Sequence, residues 1–124
     1  MKILIADDEI EAMDLFRMML RKVPDSQIDM VVNGEAAVEA FRQSNPDIII
    51  MDVNMPVKSG YQASMEIAEL CRQNNLRLPL TIFCSGSEMT EEIKTLVADK
   101  SRYVYFVKPV SRETLIKTIT ETHK

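Results

Sequence analysis

Two short stretches of this chain, DIIIM at 47–51 and TIFC at 81–84, run almost without polar interruption rather than alternating. A strand with one wet face alternates with a period of two. Continuous apolar runs of this length belong to strands covered on both faces, the usual state of central strands in a parallel sheet. Three further strand-like runs accompany them, giving expected strands at Lys2–Ala6, Ile28–Val32, Asp47–Met51, Pro79–Cys84 and Tyr103–Val107. Pro46 and Pro79 stand at strand openings, where a missing N–H costs little.

Helical periodicity fills the intervals. Ala12, Phe16, Met19, Leu20 and Val23 fall at offsets 0, 4, 7, 8 and 11; Ala63, Ile67, Leu70 and Cys71, and again Met89, Ile93, Leu96 and Val97, repeat 0, 4, 7, 8. Further helices are expected at about Glu35–Gln43 and Arg112–Thr122, with Ser87 and Ser111 as N-caps of the last two. The methionines fall mostly on apolar helix faces, which predicts core filling. Five strand–helix units specify a single doubly wound α/β domain with a five-stranded parallel sheet, helices on both faces, spanning residues 1–124. Ligands of such sheets bind at the carboxyl ends of the strands.

Chemically useful side chains cluster at those ends. Asp7 and Asp8 follow the first strand, Asp52 the third and Lys108 the fifth, and Ser85 closes the fourth. Three carboxylates within about 5 Å repel pairwise by roughly 3 kcal/mol at an effective dielectric of about 20, enough to leave one protonated without a counter-ion. Mg²⁺ answers this best, since it takes hard oxygen ligands and commonly joins one or two carboxylates to a phosphate. Helix-start preference explains Asp8 or Glu9 alone, but not acids converging from separate strands. A carboxylate can accept a phosphoryl group as an acyl phosphate, and Asp52 is placed for that role. Lys108 and Ser85 are placed to bind phosphoryl oxygens.

Other chemistries lack their residues. The single histidine, His123, reads as a solvated tail residue, so no triad or phosphohistidine is expected. Cys71 and Cys84 read as reduced packing residues, not zinc ligands. No glycine-rich phosphate loop occurs, and 15 basic against 19 acidic residues leave a net charge of −4, against a direct nucleic-acid partner. No apolar stretch is long enough to insert in a membrane, and the chain opens directly on a strand rather than a signal peptide, which predicts a cytoplasmic protein.

Taken together, Asp7-Asp8, the segment Asp52-Val53-Asn54-Met55-Pro56 followed by Gly60, Ser85, and Lys108-Pro109 resemble the receiver domain of two-component response regulators, of the chemotaxis-Y kind, over the whole chain. The resemblance implies a flavodoxin-like (βα)5 fold with strand order 2-1-3-4-5. It implies that Asp52 takes a phosphoryl group from a phosphohistidine on a histidine kinase or histidine phosphotransfer protein. Mg²⁺ would be held by Asp8, Asp52 and the Asn54 backbone carbonyl, with Asp7 acting mainly through water. Lys108 would bridge to the phosphoryl group, Ser85 would swing toward it and Tyr105 would rotate inward. Pro56, Gly60 and a cis Lys108–Pro109 bond would be structural. Output would pass to a downstream protein through the fourth helix, fifth strand and fifth helix, roughly Glu88–Ala98, Tyr103–Val107 and Ser111–Glu121. Catalysis would be confined to the domain's own phosphotransfer and autodephosphorylation.

Departures from the family pattern are Ser85 for the commoner Thr, Gly86 for a small Ala, Lys58-Ser59 before Gly60, and Asp99-Lys100-Ser101-Arg102 without the usual Gly-Ala pair. A haloacid-dehalogenase-type phosphatase would need an Asp at Asn54. A flavodoxin-like cofactor binder would need hydroxyls and glycines where Asp7-Asp8-Glu9 stand, and a non-phosphorylated scaffold would not need the full acceptor set. The chain reads as either a stand-alone regulator or the receiver module of a hybrid histidine kinase.

Overall fold

The computed structural model describes residues 1–99 and 101–122. Five strands alternate with five helices: β1 (Lys2–Ala6), α1 (Ile10–Leu20), β2 (Gln27–Val31), α2 (Gly34–Ser44), β3 (Ile48–Asp52), α3 (Gly60–Asn74), β4 (Leu80–Ser85), α4 (Glu91–Val97), β5 (Tyr103–Val107) and α5 (Arg112–Thr122). All strand pairs are parallel, in the order β2-β1-β3-β4-β5. The fold class and strand order agree with the sequence reading.

Every residue of β3 and β4 is buried, as their unbroken apolar runs require. Alternation along the strands divides the core in two. Ile3, Ile5, Ile48, Ile50 and Ile82 meet Met13, Phe16 and Leu20 of α1 and Leu115 and Ile119 of α5. Leu4, Ile49, Met51 and Phe83 face the other way, against Val38 and Phe41 of α2, Ile67 of α3 and Ile93 of α4. Burial of a large aliphatic or aromatic side chain is worth about 1.5–3 kcal/mol, so these two layers are the main source of stability. The edge strand β2 is largely exposed.

Local chemistry sets the helix ends. Asn33 caps α2 through a 2.7 Å bond from the Ala36 N–H, and Ser59 and Gln62 form a capping box on α3. Asn45 and Asn75 end α2 and α3 in the left-handed region, which Asn tolerates well. Ser111 caps α5 as expected, accepting from the Thr114 N–H at 3.1 Å.

Several expectations need correction. The cap of α4 is Thr90, which accepts from the Ile93 N–H at 3.2 Å, rather than Ser87. Ser87 is engaged elsewhere, 3.2 Å from the Ser85 hydroxyl. Strand limits shift by one residue: β2 begins at Gln27, β3 extends to Asp52 and β4 to Ser85, because pairing of Asp52 with Cys84 and Ser85 with Val107 continues each ladder to its polar end. Val23 lies beyond α1 yet is buried, held by its N–H bond to the Leu20 carbonyl at 2.9 Å. Met13 and Met51 fill the core, but Met18, Met30 and Met65 are exposed, the first and last on the outer sides of their helices. Both cysteines are free and buried, as expected. His123 lies outside the described residues, as does Lys100.

Candidate functional site

With β1, β3, β4 and β5 side by side, the residues ending them meet at one edge of the sheet. Asp7 follows β1, Asp52 ends β3, Ser85 ends β4 and Lys108 follows β5. Asp7, Asp52 and Ser85 are buried, at 1%, 6% and 0% exposure, and Asp8 and Glu9 face solvent.

The two buried carboxylates are held alike. One oxygen of each accepts a backbone N–H two residues on: Asp7 Oδ1 from Glu9 at 2.9 Å, Asp52 Oδ1 from Asn54 at 3.2 Å. The other oxygens turn toward the Lys108 ammonium, Asp7 Oδ2 at 2.8 Å and Asp52 Oδ2 at 3.4 Å. Lys108 is itself pinned by its N–H, which donates to the Ser85 carbonyl at 2.7 Å, and its bond to Pro109 is cis. Gly60 brings α3 against this strand end. A Cβ there would lie 2.1 Å from the Asp52 carbonyl oxygen, so no other residue fits without moving the backbone.

Asp7, Asp8, Glu9 and Asp52 can each place one oxygen so that all lie within 4.8 Å of one another. At that separation each like-charged pair costs roughly 3 kcal/mol at an effective dielectric of about 20. One lysine cannot offset four carboxylates. The donors are all hard oxygen, the chemistry that suits a small divalent cation such as Mg²⁺.

The model of the response regulator receiver domain family matches residues 3–120. The chain belongs to that family. It is 32% identical over 118 residues, 95% of this chain and 93% of the relative, to the protein PilH of Pseudomonas aeruginosa. It is 26% identical to the chemotaxis protein CheY of Halobacterium salinarum, with 97% and 94% of the two chains covered. The receiver domain of the response regulator Ssk1, solved with the histidine phosphotransfer signalling protein Ypd1 of Saccharomyces cerevisiae, superposes with a TM-score of 0.83 at 24% identity, over 98% of this chain and 87% of that one. The chain is thus a receiver domain of two-component signalling.

Within this receiver, burial pushes the Asp52 carboxyl up, and Asp7 adds to the effect; the Asn54 N–H and Lys108 offset only part of it. Burial pulls Lys108 down, but its bond to Asp7 and the charges of Asp52 and Asp7 outweigh that and raise it. Burial lifts the Cys84 thiol to about 12, so the thiol beside Asp52 is no nucleophile. The Tyr105 hydroxyl donates to the Ser87 carbonyl, tying β5 to the β4–α4 loop, while the Ser87 N–H donates to the Ser85 hydroxyl at 3.3 Å.

Glu9 was not among the expected site residues, yet its carboxylate lies 3.8 Å from the Lys108 ammonium. The signal was the unbroken Asp-Asp-Glu run, which also fits a helix start. Glu9 does occupy the cap position of α1, but its side chain makes no capping bond.

Proposed function

We propose that Asp52 is the phosphoacceptor of this receiver, with Mg²⁺ held by Asp8, Asp52 and the Asn54 backbone carbonyl and Asp7 acting through water. What carries this reading is the pairing of a buried, strand-end carboxylate with a lysine 3.4 Å away inside a four-acid cluster. When bound, the cation neutralises the carboxylates and the phosphoryl oxygens. An Asp52 oxygen forms the new P–O bond as the P–N bond of a phosphohistidine breaks, and the departing imidazole keeps the electron pair and takes up a proton. Lys108 donates to one phosphoryl oxygen. Ser85 donates to another, giving up its contact with Ser87. That loop shift releases the Tyr105 tie to Ser87 and lets the ring turn inward. Hydrolysis of the acyl phosphate resets the site, and the chain's own catalysis is confined to gaining and losing this group.

The phosphodonor, a histidine kinase or histidine phosphotransfer protein, must approach over the carboxyl edge of the sheet. Apolar side chains stand exposed around that approach: Ile10, Leu15 and Met18 on α1, and Val57 in the β3–α3 loop. Output would leave through α4, β5 and α5, where β5 is an edge strand that runs from buried Tyr103 through three half-buried residues to exposed Val107. The receiver unit takes in residues 1–124. A cytoplasmic setting fits its two free cysteines, and among the described residues no helix is long and apolar enough to cross a membrane. Incubation with acetyl phosphate and Mg²⁺, followed by intact mass measurement, should add one phosphoryl group to the wild type and none to Asp52→Ala. Labelling of that variant would overturn the assignment.

A further inference from the structure

The β3–α3 loop, residues 53–59, carries Asn54 and contains a tight turn. The Lys58 N–H donates to the Pro56 carbonyl at 2.7 Å, across Val57 at φ 69°. A three-residue turn with a positive central φ is rare, and a β-branched residue is poorly suited to that region. Such a conformation persists only where its surroundings hold it. Lys58 supplies the hold from both ends. Its carbonyl accepts the Gly34 N–H at 3.1 Å, using a donor at the start of α2 that has no partner inside its own helix. A Cβ on residue 34 would lie 2.2 Å from that carbonyl oxygen, so Gly34 is what allows the approach. The Lys58 side chain is 19% exposed, and its ammonium bridges Glu66 on α3 and Glu35 on α2, the latter at 3.5 Å. One residue thus ties the loop to both flanking helices.

We propose that Lys58 is a positioning residue, whose clamp on Gly34, Glu35 and Glu66 holds the strained β3–α3 loop, and with it Asn54, in the shape that binds the cation and accepts the phosphoryl group. The inference rests on the reading of the site given above. It assigns no contact between Lys58 and the reacting atoms. Asn tolerates positive φ better than Val, so Val57→Asn should make the clamp dispensable.

The test measures Mg²⁺ affinity by calorimetric titration and the rate of Asp52 labelling by acetyl phosphate, alongside thermal melting without metal. Lys58→Met and the double variant Glu35→Gln/Glu66→Gln should each lose about five-fold in both quantities, the scale of a partly exposed ion-pair cluster. Lys58→Arg should keep wild-type values, and Val57→Asn added to Lys58→Met should restore them. Unchanged affinity and rate in Lys58→Met overturn the proposal, whatever the melting temperature does. Equal losses in Lys58→Met and Lys58→Arg, without rescue by Val57→Asn, overturn it too. Failure of the wild type itself to bind Mg²⁺ or take label would instead overturn the underlying reading of the site.

Discussion

Asp52 carries opposed demands, since burial disfavours its charge while Lys108 and the Asn54 N–H favour it, and burial wins. Its folded pKa therefore lies above the ordinary 3.8. Between those two values the folded state holds more proton than the unfolded one, so stability falls as pH rises through the window and stays reduced above it. Asp52→Asn should accordingly melt higher than wild type at neutral pH in metal-free buffer, by a few degrees, with the advantage vanishing below about pH 4. Scanning calorimetry across pH checks both the sign and the window. Lys108 sits among three of the four acids, where a cation would bind. Lys108→Met should still bind Mg²⁺, and about tenfold more tightly; this is below the roughly 4 kcal/mol limit for charges 4 Å apart at a dielectric of about 20, because the flexible ammonium can swing away. It should also take label yet fail to move Tyr105 or alter partner binding. Titration calorimetry reads the first effect and tyrosine fluorescence the second.

Among the elements, the start of α3 and the loop after β4 differ in how much change they accept. Gly60→Ala forces a methyl into the Asp52 carbonyl and should cost roughly 1–3 kcal/mol, while slowing labelling by displacing Asp52. Gly86 meets nothing within 4 Å and has no positive φ, so Gly86→Ala should fold normally and gain about 0.4–1 kcal/mol from a stiffer unfolded chain. Chemical denaturation of the two variants distinguishes these outcomes. The elements themselves were largely legible. Unbroken apolar runs marked β3 and β4, and the 3.6-residue period marked α1 and α3. What escaped was chemistry that depends on a distant partner. Ser87 has the right type to cap α4, but it is drawn to Ser85 and Tyr105, and the cap passes to Thr90. Lys58 stands in the sequence only as a departure from the family pattern before Gly60, and its pairs with Glu35 and Glu66 exist only once α2 and α3 are folded beside it.

In the whole molecule, the site and the fold are thermodynamically linked. A cation that binds the folded acid cluster and not the dispersed carboxylates of the unfolded chain stabilises by RT ln(1 + [L]/Kd), about 2.7 kcal/mol at a hundredfold excess over Kd. Millimolar Mg²⁺ should therefore raise the wild-type melting temperature and EDTA should reverse it, with the effect much reduced in Asp52→Asn. Equal melting with and without Mg²⁺ would deny the cluster a cation. The alternation of strand and helix, the doubly wound class and the placing of Asp7, Asp8, Asp52, Ser85 and Lys108 at strand ends are local properties, written in periodicity and residue type. Tertiary structure alone decided that Glu9 joins the acids, that Lys108 reaches Asp7 more closely than Asp52, and that Lys58 pairs with Glu35 and Glu66. Period and propensity act over a few residues, whereas a charge responds to whatever the folded chain brings within about a Debye length of it.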